Sequence, residues 1–168
     1  MTTIAAPPQG SDVRRTVAVD FLYLDLSTCR RCGGTDANLD RALDVLEGVL
    51  RTTGTRVELR RVHVRSLEQA RELQFVTSPT IRVDGRDISP EALETECGAD
   101  GCGCGPGASC RLWRYAGADH TAAPVGLIVD AVLSALYAGP ATTDAPMSYE
   151  VPDNLIRVFA GGRSGCCG

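Results

Sequence analysis

Eight cysteines fall in three groups along 168 residues, and their spacing restricts the chemistry to that of thiols. Cys29 and Cys32 form a C-x-x-C within Ser27-Thr28-Cys29-Arg30-Arg31-Cys32. Cys97, Cys102, Cys104 and Cys110 crowd one Gly-rich stretch, and Cys166 and Cys167 are adjacent near the end. Two thiols spaced C-x-x-C can close a disulfide, attack one, or chelate a soft metal. The attacking species is the thiolate, and a free cysteine has a pKa of about 8.5 that cations or a helix N-terminus lower. Arg30 and Arg31 place fixed positive charge between the two thiols.

The four middle thiols suit a tetrahedral zinc ion, and the glycines among them let the backbone fold round a small object. The paired C-x-x-C hairpins of common structural zinc sites are missing. Three readings therefore stay open for Cys97, Cys102, Cys104 and Cys110: a zinc or other thiophilic metal site, two disulfides that staple a long loop, or free thiols. Cys166 and Cys167 follow Gly161, Gly162, Ser164 and Gly165. Two adjacent thiolates on a flexible arm can trap a soft ion and raise its effective concentration at the C-x-x-C. The plain alternative is a chain end that does nothing or dimerises on oxidation.

Such thiols need a scaffold, and the hydrophobic pattern supplies one. Residues 1–15 read as a loose tail. Thr16 to Leu26 is rich in Val, Phe, Tyr and Leu and reads as a buried strand leading into the C-x-x-C. Gly33-Gly34 is expected to delay the helix that follows, with Thr35 or Asp36 as its cap. Leu39, Ala42, Leu43, Leu46, Val49 and Leu50 form its apolar stripe and Gly54 its end. Arg56 to Val64 reads as a second strand, and Ser66-Leu67-Glu68-Gln69 has the spacing of a capping box. Thr80 to Val83, an Asp84-Gly85 turn and Arg86 to Ile88 make a hairpin. Ser89-Pro90-Glu91 is expected to open a short helix, and Arg111 to Tyr115 a strand. Pro124 opens an apolar helix through Ala138, residues 139–160 are a linker with a short helix from Pro152 to Phe159, and 161–168 form the cysteine-bearing tail.

Composition closes several routes. A net charge of −4 argues against a nucleic-acid partner, which phosphate binding would mark with excess Lys and Arg. The first fifteen residues lack the apolar stretch of a signal peptide, and no run approaches the roughly 18–20 apolar residues of a membrane span. The expected compartment is the cytoplasm, where structural disulfides are rare and clustered cysteines favour redox or metal chemistry. His63, inside a strand, reads as structural. His120, in a loop, lacks a partner at motif spacing.

The order strand, C-x-x-C, helix, strand, helix, Ser78-Pro79-Thr80 hairpin and helix resembles the thioredoxin-like superfamily over residues 16–138. Several motifs narrow this: Thr28 to Cys32, Ser78 to Val83, Cys110-Arg111-Leu112-Trp113 and Pro152-Asp153-Asn154-Leu155. Together they resemble a bacterial family of Cys-rich thioredoxin-like proteins with no established reaction. The resemblance implies an α/β fold, a central mixed sheet flanked by helices, with a Cys/Gly-rich insertion at 97–110. It implies a cis peptide at Pro79, with Ser78 and Pro79 shaping the surface that receives a partner's backbone. It implies Cys29, the more exposed thiol, as nucleophile and Cys32 as the resolving thiol. Arg-Arg stands where that superfamily commonly has Gly-Pro, and the usual aromatic residue before the motif is missing. Asp20 and Asp25 interrupt the first strand, but neither has the spacing of a proton-relaying carboxylate; an edge or ion-paired role fits them better. The terminal pair is similar to the vicinal cysteines of mercuric reductases and of thioredoxin-like arsenic metallochaperones.

The expected function is thiol–disulfide oxidoreductase chemistry at Cys29 and Cys32, with a thiol reductant or a disulfide-bearing partner and no required cofactor. Soft-metal or metalloid handling, with mercury or arsenic as the ion, is the extension that the other thiols suggest. The rival is a metallochaperone or sensor that binds metal without turnover.

Overall fold

In the computed structural model, residues 14–96, 109–138 and 148–160 are described. Strand β1 (Arg15–Tyr23) is central. Val17, Val19 and Phe21 alternate onto one face and Leu22 turns to the other, so this strand needs cover on both sides. Strand β2 (Thr55–His63) lies parallel to it, with Val57 opposite Val17. On the other side β3 (Thr80–Val83) runs antiparallel, with Ile81 opposite Phe21, and β4 (Arg86–Asp87) extends the sheet. The order is β2-β1-β3-β4. The Asp84-Gly85 turn between β3 and β4 has φ of 49° and 80°, the left-handed geometry a two-residue hairpin turn demands.

Helix α1 (Arg30–Thr53) buries Leu39, Ala42, Leu46 and Leu50 in one core with Val17, Val19 and Phe21. Each large side chain so buried stabilises the fold by about 1.5–3 kcal/mol. Gly54 closes the helix at φ 66°, returning its N–H to the carbonyls of Leu50 and Arg51. Helix α3 (Val125–Ala138) packs beside α1 and adds Ile128 and Val132 to the same core. On the opposite face, α2 (Leu67–Glu72) and α4 (Asp153–Ala160) share a second core of Leu22, Val64, Ala70, Phe75 and Leu155. Ser66 caps α2 by accepting the Gln69 N–H at 3.1 Å.

Two small antiparallel pairs complete the described chain. Strand β5 (Glu94–Glu96) pairs with β6 (Ser109–Arg111), and β7 (Trp113–Tyr115) pairs with β8 (Ala118–His120). The architecture is mixed α/β, a mixed central sheet flanked by helices, compatible with a thioredoxin-like fold.

Several local expectations need correction. Gly33 and Gly34 do not delay α1: they lie within it, because the cap is Cys29 and the Gly33 N–H already bonds the Cys29 carbonyl at 2.9 Å. Thr35 is a buried anchor within the helix: its hydroxyl accepts the Ala123 N–H at 3.1 Å, while Asn38 donates to the Ala123 carbonyl at 2.9 Å. A Cβ at Gly34 would stand 3.2 Å from that of Ala122, which explains a glycine where this segment crosses the helix. Ser89-Pro90-Glu91 forms a turn, not a helix: Ala92 takes φ 47° and reverses the chain into β5. Arg111 to Tyr115 divides between β6 and β7 at Leu112, whose N–H carries the β5–β6 register one pair further, to the Leu93 carbonyl at 2.7 Å. Arg15 already belongs to the sheet. The expectations for 1–13, for 97–108, for linker residues 139–147 and for the 161–168 tail lie outside the described residues. Among the described residues, no helix is long and apolar enough to cross a membrane.

Candidate functional site

The chain leaves β1 through a turn built by Asp25, whose Oδ1 accepts the Ser27 N–H at 2.5 Å, the Ser27 hydroxyl at 2.6 Å and the Thr28 N–H at 3.4 Å. This turn aims Cys29 at the start of α1. Cys29 caps the helix, its sulfur accepting the Cys32 N–H at 3.4 Å. The helix end concentrates unpaired N–H groups and the positive pole of the macrodipole there, which favours negative charge on a capping group. Asp20 stands apart at the sheet surface in a two-pronged pair with Arg60, at 2.6 and 2.8 Å.

Neither cysteine is in a disulfide, and both are buried, Cys29 at 2% exposure and Cys32 at 1%. The expected greater exposure of Cys29 is not seen: in this conformation neither sulfur is open to solvent. The Cys32 thiol is pushed well above the ordinary range, first by its hydrogen bond with Cys29, then by burial, then by negative charge on Cys29. The Ser78 hydroxyl and the Asp25 backbone amide pull it the other way. The two sulfurs are therefore unequal, with Cys32 holding its proton.

Facing them is the turn before β3, where the Ser78–Pro79 bond is cis, as the resemblance implied. The Ser78 hydroxyl accepts the Leu24 N–H at 3.1 Å and lies 3.5 Å from the Cys32 sulfur. A hydroxyl that already accepts one bond keeps its own hydrogen to offer a Cys32 thiolate. The Thr80 hydroxyl donates to the Thr77 carbonyl at 2.7 Å and tightens this turn from behind.

Arg111 and Asp87 also hold this turn, and neither is among the site residues expected from the sequence. Arg111 is fully buried. Its backbone N–H donates to the Ser78 carbonyl at 2.9 Å. Its guanidinium forks onto Asp87 at 2.8 and 2.9 Å, donates to the Thr80 hydroxyl at 2.9 Å and to the Ser89 carbonyl, and lies 4.4 Å above the Trp113 ring. Such a charge is tolerated in a core only when it is paired and hydrogen-bonded. The one available signal was an Arg flanked by apolar residues, next to a Trp that is itself core. Arg31, also buried, sends its guanidinium to the Thr95 hydroxyl at 2.8 Å and the Cys110 carbonyl at 3.3 Å. It therefore ties the C-x-x-C to the β5–β6 pair, beyond the simple charge expected of it.

The remaining cysteines divide. Cys110 is fully buried and disulfide-bonded. Cys97, Cys102 and Cys104 lie outside the described residues, as do Cys166 and Cys167. Among the described residues no three His, Cys, Asp or Glu side chains gather to hold a metal ion. His63 stacks on Tyr23 with ring centroids 5.3 Å apart, and its Nδ1 accepts from Arg65 Nε at 3.2 Å. His120 lies in β8, opposite Trp113.

No curated protein and no solved structure matches the chain. The sequence pattern of one protein family does: it spans residues 17–132, and so takes in the C-x-x-C, the Ser78–Pro79 turn, β5 to β8 and about half of α3. The chain belongs to that family, described as a domain of unknown function (DUF2703).

Proposed function

We propose that the protein is a thioredoxin-like thiol–disulfide oxidoreductase whose working pair is Cys29 and Cys32, acting in the cytoplasm. The observation that carries this reading is the unequal surroundings of two neighbouring thiols, neither of them in a disulfide. Cys29 takes the helix-capping position with an N–H aimed at its sulfur, whereas the Cys32 thiol, pushed up by its hydrogen bond with Cys29 and by burial, lies within reach of the Ser78 hydroxyl. That is the division of labour exchange requires. One thiolate attacks a disulfide sulfur, and the second thiol then displaces the substrate from the mixed disulfide. As Cys32 gives up its proton in the second step, Ser78 supplies a hydrogen bond to the developing charge.

Turnover of a small disulfide by an external dithiol tests this. Cys29→Ser should abolish it, and Cys32→Ser should stall it with the substrate joined to Cys29. Stoichiometric capture of Hg²⁺ or arsenite by the wild type, with no disulfide turnover, would replace the oxidoreductase reading with ion binding.

A further inference from the structure

The third described cysteine is tied to the first two through Arg31 and Ser78. In the β5–β6 pair, Thr95 stands directly opposite Cys110. Residues directly opposed in an antiparallel pair project their side chains to the same face. The Thr95 hydroxyl is 2.8 Å from the Arg31 guanidinium, so that face is turned to the start of α1, where Arg31 sits between the two thiols. The Cys110 side chain shares that face, and the Cys110 carbonyl is bound by the same Arg31 nitrogen at 3.3 Å.

The next backbone group is fixed as well. The Arg111 N–H donates to the Ser78 carbonyl at 2.9 Å, and the hydroxyl of that same Ser78 lies 3.5 Å from the Cys32 sulfur. The peptide joining Cys110 to Arg111 is therefore clamped between a residue inside the C-x-x-C and the residue facing its second thiol. Cys29 and Cys32 are shut from solvent and Cys110 is fully buried, so the disulfide-bearing residue is held by Arg31 and Ser78, the same two residues that flank the dithiol.

We propose that the Cys110 disulfide is the intramolecular exchange partner of Cys29 and Cys32, an internal relay between two redox couples in one chain. This rests on the oxidoreductase reading of the dithiol. In the first step the Cys29 thiolate attacks the Cys110 sulfur: the Cys29–Cys110 bond forms, and the sulfur formerly bonded to Cys110 leaves with the electron pair as a thiolate. In the second, Cys32 loses its proton and attacks Cys29, closing the Cys29–Cys32 disulfide and releasing Cys110 as a thiolate, which takes up a proton. Two thiols are oxidised and one disulfide is reduced to two thiols, so no outside oxidant enters.

The test uses the full chain with Cys32→Ser, in which the second step cannot occur. The protein is incubated with micromolar oxidised glutathione, quenched in acid, alkylated and digested without reduction. A resident disulfide meets Cys29 at an effective concentration on the order of mM. The expected main form of Cys29 is thus a peptide cross-linked to Cys110, which the further Cys110→Ser change removes. If Cys29 takes up glutathione and no Cys29–Cys110 peptide forms, the relay is overturned while the dithiol reading stands. If Cys29 takes up neither, both are overturned.

Discussion

On one side of the Ser78–Pro79 turn, two sulfurs meet their neighbours at 3.4 and 3.5 Å; on the other, Arg111 holds Asp87 and Thr80 at 2.8 to 2.9 Å. The sulfur side relies on weak donors and acceptors, and one proton is enough to rearrange it. The guanidinium side is a charge-assisted fork in a closed core, and the geometry of such a fork resists small displacements. A reactive pair has to change partners during exchange, whereas the turn facing it has to stay put. The molecule separates the two demands across three residues, Ser78 to Thr80.

The comparison breaks most visibly at Asp87. Asp87→Ala strips the buried Arg111 charge of its counter-ion and should lower stability by about 3–5 kcal/mol, as breaking a buried pair does. Urea denaturation of the reduced protein would measure it. Arg111→Met, which removes the charge along with its need for a partner, should cost less than Asp87→Ala. Equal losses would mean that the guanidinium contributes packing alone.

On the sulfur side the expected effect is smaller. Ser78→Ala leaves the part-buried Leu24 N–H without its acceptor, a loss of about 1–3 kcal/mol. It also removes the group that eases ionisation of Cys32. The resolving step should therefore slow and the mixed disulfide at Cys29 should accumulate, visible as a transient conjugate in quenched-flow mass spectrometry. Ser78→Thr, which keeps the hydroxyl, should restore the rate.

Part of this arrangement was legible in the chain. The apolar run of β1, the stripe of α1, the Asp84-Gly85 turn, the cap at Ser66 and the glycine after α1 are local signals, each settled by residues a few positions apart. The C-x-x-C ahead of a helix was readable in the same way, whereas the proline opposite it came only from the resemblance. What escaped is long-range. Arg111 meets Asp87 across 24 positions and Arg31 meets Thr95 across 64, and no periodicity announces either contact. Gly33-Gly34 misled for a related reason. Glycine weakens a helix on its own account, but here the close crossing of Ala122 over Gly34 favours the smallest residue. The burial of Cys29 was equally unreadable, since it depends on segments distant in sequence.

A subtler effect is pH dependence. The hydrogen bond with Cys29, and then burial, raise the Cys32 thiol in the folded state above its unfolded value. Below about pH 8.5 both states keep this proton, and the contribution is fully present. Above it the unfolded chain releases the proton and the folded one retains it. Stability of the reduced protein should then fall by at most about 1.4 kcal/mol per pH unit. The share of the fall that belongs to Cys32 should be absent in Cys32→Ser, and denaturation curves of the two proteins across pH 8–10 would check the difference.

The central claim is that Cys29 and Cys32 form one two-electron couple. Full-length protein equilibrated in dithiol–disulfide buffers, quenched in acid and alkylated, can be assayed peptide by peptide for the state of each cysteine. The account predicts that Cys29 and Cys32 lose their thiols together, as a Cys29–Cys32 disulfide, along a curve with about 30 mV per tenfold change in the ratio of oxidised to reduced protein. Two thiols that stay reduced across the whole range, or that oxidise independently to separate mixed disulfides, would contradict it.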